Sequence, residues 1–163
     1  MKILIAFSTK YGTTQKCAEM LGNLLKEKQH EVDVINLKLT KSISLDSYDA
    51  VAVGGSFMMF RMNSYVRKFV QKNLNKLLQI KTGLFMCGAD DKWEEEIKKG
   101  FPQQLLDSAA AKGYFGFEML WDKMGPFFRG TMQKAFKTTE NVLKINEENI
   151  RIFAEELTEN RQS

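Results

Sequence analysis

The sequence predicts an α/β fold, a three-layer α/β/α sandwich around a five-stranded parallel sheet with strand order 2-1-3-4-5. Short apolar runs alternate along the chain with helical patterns of about 15 residues, which is typical of βαβ units. The run Ala50-Val51-Ala52-Val53 is continuously apolar, as expected for a strand buried on both faces of a parallel sheet. Right-handed crossovers and a hydroxyl-rich loop after the first strand favour this strand order.

Each predicted element follows from its local pattern. The helix after the first strand places Cys17, Leu21 and Leu25 on one face, while the strands are apolar runs that glycines or polar residues end. Strands are expected at 2–7, 32–37, 50–53, 81–87 and 114–120, and helices at 13–28, 64–78, 92–111 with a break near 100–102, 126–136 and 146–160. Residues 121–138 fit five strands poorly and are interpreted as an excursion before the last helix.

The composition predicts a single domain over residues 1–163, because 163 residues of which 44% are hydrophobic are enough for one core. Cys17 and Cys87 form no disulfide framework and the chain opens on a strand, so we expect a reduced, cytoplasmic protein. The apolar runs are shorter than the ~20 residues of a membrane span, which leaves peripheral membrane contact as an alternative. The single histidine, His30, excludes Ser-His-Asp hydrolases and paired-histidine metal sites, and we expect no metal.

The loop after the first strand has the features of a phosphate-binding loop. Four hydroxyl side chains surround one glycine, and a helix whose first N–H groups are free begins directly behind them. For any one hydroxyl, simple capping of the helix is the alternative. The loop matches neither the G-x-G-x-x-G turn nor the Gly-Lys-Ser/Thr ending of a P-loop. The residues assigned to the phosphate are Ser8, Thr9, Lys10, Tyr11, Gly12, Thr13 and Thr14.

Two further loops converge with this one in the predicted topology. The second carries four consecutive large apolar residues, which either form a satellite core or pack against a flat aromatic ligand. Small residues in the third loop let backbone groups reach the polar edge of such a ligand's ring. Trp93 is the candidate that would cover the other face of the ring. Cys87 is interpreted as a buried thiol. The candidates are Ser56, Phe57, Met58, Met59, Phe60 and Arg61 in the second loop and Cys87, Gly88, Ala89, Asp90 and Trp93 in the third.

The spacing of Phe7, Thr9, Gly12, Thr14, Ala18 and Leu21 resembles the FMN-phosphate signature of the single-domain flavodoxins. Within them, the chain resembles a subgroup similar to the quinone-linked protoporphyrinogen dehydrogenases of bacteria. That similarity is carried by residues 7–14, Tyr48-Asp49, Gly54-Gly55-Ser56 and the pattern of Val66, Phe69 and Val70. The resemblance implies a flavodoxin-like fold and non-covalently bound FMN, with its phosphate at 8–14 and its isoalloxazine ring between residues 56–62 and 87–93.

Charge is distributed unevenly in a chain of net charge +4. No acidic residue occurs between Asp49 and Asp90, whereas Arg61, Arg67, Lys68, Lys72, Lys76 and Lys81 all lie there. This basic interval is either a solvated helix face or a docking surface for an anionic partner. Nucleic acid is not expected, because these basic residues lack interleaved aromatic side chains.

Three functions fit this sequence. We predict an FMN-binding redox protein that exchanges electrons with a partner protein of acidic surface. The first alternative is an FMN-dependent oxidoreductase that acts on protoporphyrinogen or a quinone at an anionic membrane surface, which the apolar stretch 121–128 favours. The second is a flavodoxin-fold binding module without a redox role, which the Met58-Met59 pair favours. In the first two functions the chemistry comes from the flavin rather than from catalytic side chains.

Overall fold

The computed structural model describes residues 1–89 and 92–159. Asp90, Asp91 and residues 160–163, among them the predicted last residue of the final helix, lie outside the described part. The elements in chain order are β1 (Lys2–Ser8), α1 (Thr13–Glu27), β2 (Glu31–Asn36), β3 (Ala50–Met58), β4 (Arg61–Met62), α2 (Ser64–Leu77), β5 (Lys81–Cys87), α3 (Trp93–Gly100), α4 (Gln103–Ser108), β6 (Ala111–Tyr114), β7 (Gly116–Met119), a 3₁₀ helix (Trp121–Lys123), α5 (Pro126–Phe136), β8 (Val142–Ile145) and α6 (Glu147–Thr158).

Five parallel strands form the central sheet in the order β2-β1-β3-β5-β6. In register, Ile3 of β1 lies beside Val32 on one side and Ala50 on the other, and Gly83 of β5 lies beside Ala111 of β6. Counting only the parallel strands, this is the order 2-1-3-4-5, so the predicted fold class and topology are confirmed. The order places the carboxyl ends of β1, β3 and β5 next to one another at one edge.

Side chains along the strands alternate between two cores. From β1, Leu4 belongs to the same core as Val66 of α2, whereas Ile3 belongs to the same core as Phe153 of α6, and all four side chains are fully buried or nearly so. Helices α2, α3 and α4 cover one face of the sheet, and α1 and α6 cover the other. Each fully buried large aliphatic or aromatic side chain contributes about 1.5–3 kcal/mol of transfer free energy. The sheet is therefore fixed from both faces, and its carboxyl edge is a rigid base for loops.

The third strand continues beyond its predicted end at Val53. β3 runs to Met58 and turns back through β4, with Phe57 opposite Met62 and Met58 opposite Arg61. Gly54, which suggested the end of the strand, is instead required for packing inside it, because a Cβ at this position would lie 2.4 Å from Phe85. The second predicted loop is thus a β-hairpin whose tip projects from the edge of the sheet.

The predicted fifth strand at 114–120 is wrong in its position. The strand that pairs with β5 is β6, and the chain leaves the sheet at Gly116, where φ is +82°. A Cβ there would lie 1.9 Å from the Lys144 carbonyl oxygen, so only glycine fits this turn. β7 then pairs antiparallel with β8, a strand that the sequence pattern did not predict. We call residues 116–145, which hold β7, the 3₁₀ helix, α5 and β8, the insertion.

The remaining helices agree closely with their predicted bounds. The break near 100–102 separates α3 from α4 at Phe101 and Pro102, although α4 ends at Ser108 rather than at 111. The short helix predicted over 126–136 is α5. In the part of the chain that the structure describes, no helix is both long enough and apolar enough to cross a membrane.

Candidate functional site

A cavity of about 260 Å³ opens where the carboxyl ends of β1, β3 and β5 meet. Three groups of residues line it: the loop 8–14, the hairpin of β3 and β4, and the segment after β5. The insertion closes a fourth side. The lining residues that the sequence predicted are Thr9, Lys10, Tyr11, Thr13, Thr14, Ser56, Phe57, Met58, Met59, Phe60, Cys87, Gly88 and Ala89.

The loop 8–14 leaves the start of α1 open to an anion. Gly12 occupies the N-cap position with φ of +100°, and no side chain caps the helix there. Thr9 instead accepts a hydrogen bond from the Gly12 N–H at 2.9 Å, which fixes the loop without covering the helix start. The first turn of α1 carries no acidic residue, so its positive end is uncompensated. This geometry suits a phosphate group.

Two buried hydroxyl groups in this region lack hydrogen-bond partners. Ser8 and Thr14 are fully buried, and neither Oγ of Ser8 nor Oγ1 of Thr14 has a partner among the described residues. The Thr14 hydroxyl lies close enough to the Cys87 thiol to offset part of the rise that Cys17 and burial cause in the pKa of that thiol, but a thiol is only a weak hydrogen-bonding group and the pair does not meet hydrogen-bond geometry. An unsatisfied buried hydroxyl costs about 1–3 kcal/mol. Thr14 lines the cavity, so an anion placed there would remove its penalty; Ser8 lies behind the lining.

The hairpin tip divides the apolar second loop into a buried and an exposed part. Phe57 is 5% exposed and belongs to the core on the α2 face, so the satellite-core interpretation holds for this residue. Met59 and Phe60 are 78% and 71% exposed and occupy the turn with φ of +52° and +59°. A two-residue hairpin turn of this kind requires positive φ at both positions. Arg61 begins β4, is exposed, and does not line the cavity.

The segment after β5 contributes backbone and small side chains. Cys87, Gly88 and Ala89 line the cavity, whereas Asp90 lies outside the described residues. A Cβ on Gly88 would lie 2.6 Å from the Phe57 carbonyl oxygen, so a glycine keeps this strand end close to the hairpin. Trp93 does not line the cavity but stacks on Tyr114, with ring centroids 6.1 Å apart and an interplanar angle of 12°. The aromatic surface expected from Trp93 is thus turned toward the core.

Cys87 is a buried thiol, as the sequence suggested. Both cysteines are free, and both belong to the core on the α1 face. Hydrogen bonding to Cys17 and burial raise the pKa of the Cys87 thiol well above its usual range. The thiol therefore stays protonated at neutral pH and acts as an apolar part of the cavity wall.

The insertion supplies a wall that the sequence analysis did not assign to the site. Its contributions are Phe117, Glu118, Met119, Met124, Phe128 and Met132. Phe128 stacks on Tyr11 of the loop 8–14, with centroids 6.2 Å apart at 20°, and the Lys10 ammonium lies 5.3 Å from the Tyr11 ring and 5.7 Å from the Phe128 ring. The signal available in the sequence was that residues 121–138, which include Phe127, Phe128 and Arg129, fit the five predicted strands poorly.

Among the described residues of the lining Glu118 is the acidic one, and its charge is paired. Its carboxylate accepts a hydrogen bond from Lys16 at 2.8 Å, while its side chain is only 6% exposed. This hydrogen bond raises the pKa of the Lys16 ammonium. The pair joins the first turns of α1 to β7, so it fixes the insertion against the helix whose start forms the anion site.

The basic interval lies mainly on α2. Lys68 and Lys72 are exposed there, whereas Lys76 forms an ion pair with Asp46 at 2.6 Å. Because a helix rises about 1.5 Å per residue, Lys68 lies about 6 Å from the start of α2 and Lys72 about 12 Å. The exposed positive charge of this helix is therefore strongest near the edge of the sheet that carries the cavity.

Comparison with known proteins agrees with this architecture. A family model described as the flavodoxin domain matches residues 4–143. The chain belongs to the flavodoxin family. This membership supports a flavin-dependent redox role for the chain.

This flavodoxin-family chain is similar to one curated protein in sequence and to several solved proteins in structure. Protoporphyrinogen IX dehydrogenase [quinone] of Escherichia coli K12 is 35% identical over 77 residues, which cover 47% of this chain and 42% of that protein. The chain thus matches less than half the length of this curated relative. A flavodoxin of Streptococcus pneumoniae TIGR4 superposes with a TM-score of 0.60 at 16% identity, over 96% of this chain and 97% of its own. Rubredoxin oxygen:oxidoreductase of Desulfovibrio gigas superposes with a TM-score of 0.55 at 14% identity, over 97% of this chain and 37% of its own. These two structures show a shared fold.

Proposed function

We propose that this chain binds FMN in the cavity and exchanges electrons between the flavin and a redox partner. The observation that carries the proposal is the uncapped start of α1 beside the buried hydroxyl of Thr14, which has no hydrogen-bond partner among the described residues and lines a mostly apolar cavity. A phosphate satisfies the helix start and the hydroxyl together. Membership of the flavodoxin family independently supports a flavin at this edge of the sheet.

The cavity residues would divide the cofactor between a polar and an apolar end. The loop 8–14 would hold the phosphate through backbone N–H groups and the Thr14 hydroxyl. Phe57, Met58 and Met119 would exclude water from the ring, while the backbone at Gly88 and Ala89 would face its polar edge. Bound FMN supplies one- or two-electron transfer, and the protein sets its potential by hydrogen bonds, charge and desolvation.

Reconstitution with separate cofactors tests this proposal. We expect the purified chain to bind FMN, with a flavin absorption spectrum, and to discriminate against FAD, because the described part of the lining has no second glycine-rich crossing for a pyrophosphate. Equal affinity for FMN and FAD would contradict the phosphate assignment. Complete absence of flavin binding would instead favour the binding module without a redox role.

A second candidate function is an FMN-dependent oxidoreductase that acts on a quinone or protoporphyrinogen at an anionic membrane surface. Apolar side chains stand exposed on the hairpin tip and on α5, where Phe60 is 71% and Phe127 90% exposed. The exposed cations Lys10, Arg61 and Lys123 belong to the loop 8–14, the hairpin and the insertion. Exposed apolar groups with neighbouring cations suit an anionic lipid surface. The partial similarity to the quinone-linked dehydrogenase supports the same substrate classes.

Vesicle binding separates the two candidates. Co-sedimentation with anionic vesicles is expected to fall when Phe60 and Phe127 are both changed to Ser, and to stay unchanged for Ile152→Ser on α6, which is 42% exposed. If binding were equal for anionic and neutral vesicles, or equal for all variants, the result would contradict the membrane candidate and favour electron exchange with an acidic protein.

A further inference from the structure

The insertion brings a lysine onto the loop 8–14. The Lys123 ammonium nitrogen lies 3.8 Å from the position that a Cβ would take on Gly12. Because Gly12 has no side chain, the space between this ammonium group and the loop backbone is open. The cation therefore stands beside the N-cap residue of α1, although Lys123 is exposed and is not one of the residues that line the cavity.

The backbone around Lys123 is held in place by buried neighbours. Trp121 and Met124 are 5% and 6% exposed, and both belong to the cluster that packs the insertion against Tyr11. The indole N–H of Trp121 donates to the Glu140 carbonyl oxygen at 2.5 Å, and its backbone N–H donates to the Asn141 side chain at 3.1 Å. These contacts fix the backbone on both sides of Lys123, so that only the rotamer of its side chain can change.

The charge of Lys123 is available to a ligand. Within the described residues Lys123 forms no ion pair, and the Glu118 carboxylate of the cavity lining is paired with Lys16. The other lysine of this region, Lys10, lies over the rings of Tyr11 and Phe128. The unpartnered, buried hydroxyl of Thr14 is a separate indication that an anion belongs at this loop.

We propose that Lys123 is a phosphate-binding residue, which the insertion places over the loop 8–14 to form a charge-assisted contact with the phosphate of FMN. This inference rests on the proposed function and names a residue that determines its specificity. The helix start contributes a partial charge of about half a unit, whereas the ammonium adds a full unit. Lys123 therefore distinguishes a phosphorylated flavin from one without phosphate, and it makes retention of the cofactor depend on the insertion.

Titrations with FMN and riboflavin test the inference, because riboflavin has the same ring and lacks the phosphate. Lys123→Gln is expected to weaken FMN binding about 10-fold at low salt and to leave riboflavin binding within about twofold. Lys123→Arg is expected to keep most of the FMN affinity. Lys134→Gln removes the same charge from α5 of the same insertion and is expected to change neither titration. Added salt should weaken FMN binding to the unmodified chain more than to Lys123→Gln.

The outcomes separate this inference from the proposed function. FMN binding that is equal in Lys123→Gln and the unmodified chain refutes the role of Lys123 and leaves the FMN site standing. Equal weakening of FMN and riboflavin also refutes it, since the lysine would then act on the ring or on the fold. Absence of FMN binding by the unmodified chain refutes the site and the lysine together.

Discussion

Thr14→Val is expected to change stability and cofactor affinity in opposite directions. The Thr14 side chain is fully buried and its hydroxyl has no partner among the described residues, while valine has the same shape without the hydroxyl. An unsatisfied buried hydroxyl costs about 1–3 kcal/mol. Without FMN, the variant should therefore gain about 1 kcal/mol or more in free energy of unfolding. For a chain of this size, each kcal/mol raises Tm by about 2–4 °C.

With FMN the sign reverses. The Thr14 hydroxyl then donates to a charged phosphate oxygen, and such hydrogen bonds contribute about 1.5–3 kcal/mol. Its loss corresponds to about 10- to 150-fold weaker binding. The variant should thus be the more stable protein without cofactor and the weaker binder of FMN.

Thr82→Val is the matched control for this experiment. Thr82 is 2% exposed, and its hydroxyl donates to the Leu77 carbonyl oxygen at 2.8 Å; it lies near the amino end of β5, whereas the cavity lies at the carboxyl end of that strand. Removing this satisfied hydroxyl should lower the free energy of unfolding by about 1 kcal/mol and leave FMN affinity unchanged. Urea unfolding without cofactor and a fluorescence titration with FMN measure both quantities. If Thr14→Val lost stability like Thr82→Val and bound FMN normally, the reasoning from the unpartnered hydroxyl would be refuted.

Three further predictions concern other parts of the molecule. Replacing Met59-Phe60 by Asn-Gly should raise the free energy of unfolding by about 1–2 kcal/mol, because both positions have positive φ; urea unfolding measures it. Burial and neighbouring carboxylates raise the pKa of Tyr48 to about 12, so the folded chain holds this proton more tightly than the unfolded one. Stability should fall as pH rises from about 10 to about 12, and less so in Tyr48→Phe. In stopped-flow electron transfer to an acidic acceptor, Lys68→Glu should slow the reaction more than Lys72→Glu, and salt should reduce the difference.

Local patterns predicted the elements whose residues decide their own structure. The strand over 81–87 and the helix over 126–136 have the predicted bounds, because an apolar run or a proline at the helix start is a strong local signal. The end of β3 was not predictable in this way. Gly54 looks like a strand end in sequence, but the ring of Phe85 takes the space of its Cβ. Only the packed sheet reveals that this glycine serves the strand.

The position of the fifth strand likewise could not be predicted from its local sequence pattern. β6 reads Ala111-Lys112-Gly113-Tyr114, in which small residues make room for other side chains: a Cβ on Gly113 would lie 2.7 Å from the Phe115 ring. The stronger alternation over 116–119 belongs to β7, which pairs with a strand of the insertion. A period of two shows that a segment is extended, and it does not show which strand is its neighbour.

In the candidate site, the residues placed by strand topology were predictable from the sequence, whereas those placed by contacts between distant segments were not. Loop positions such as Thr14 and Gly88 lie where the topology predicted, because the ends of adjacent parallel strands must meet. The wall from the insertion depends on contacts between residues far apart in sequence, such as Tyr11 with Phe128, for which one sequence carries no pairing signal. Trp93 has the aromatic side chain that a residue stacking on a ligand needs. In the structure it stacks on Tyr114 instead and does not line the cavity.

The two ends of the cavity differ in how firmly they are built. The phosphate end rests on β1 and α1, whose residues around Thr14 are buried and packed in the core of the α1 face. The less buried part of the lining consists of the exposed hairpin tip and of α5, whose Phe128 stacks on Tyr11 of the loop 8–14; all eleven residues of α5 are described and none is buried. Under the proposed function, affinity for FMN then comes mainly from the rigid end, while the less buried end is the part a partner or substrate would approach. Changes at Thr14 or Lys123 should accordingly alter cofactor retention with little effect on partner affinity, and changes at Phe60 or Phe127 should do the reverse.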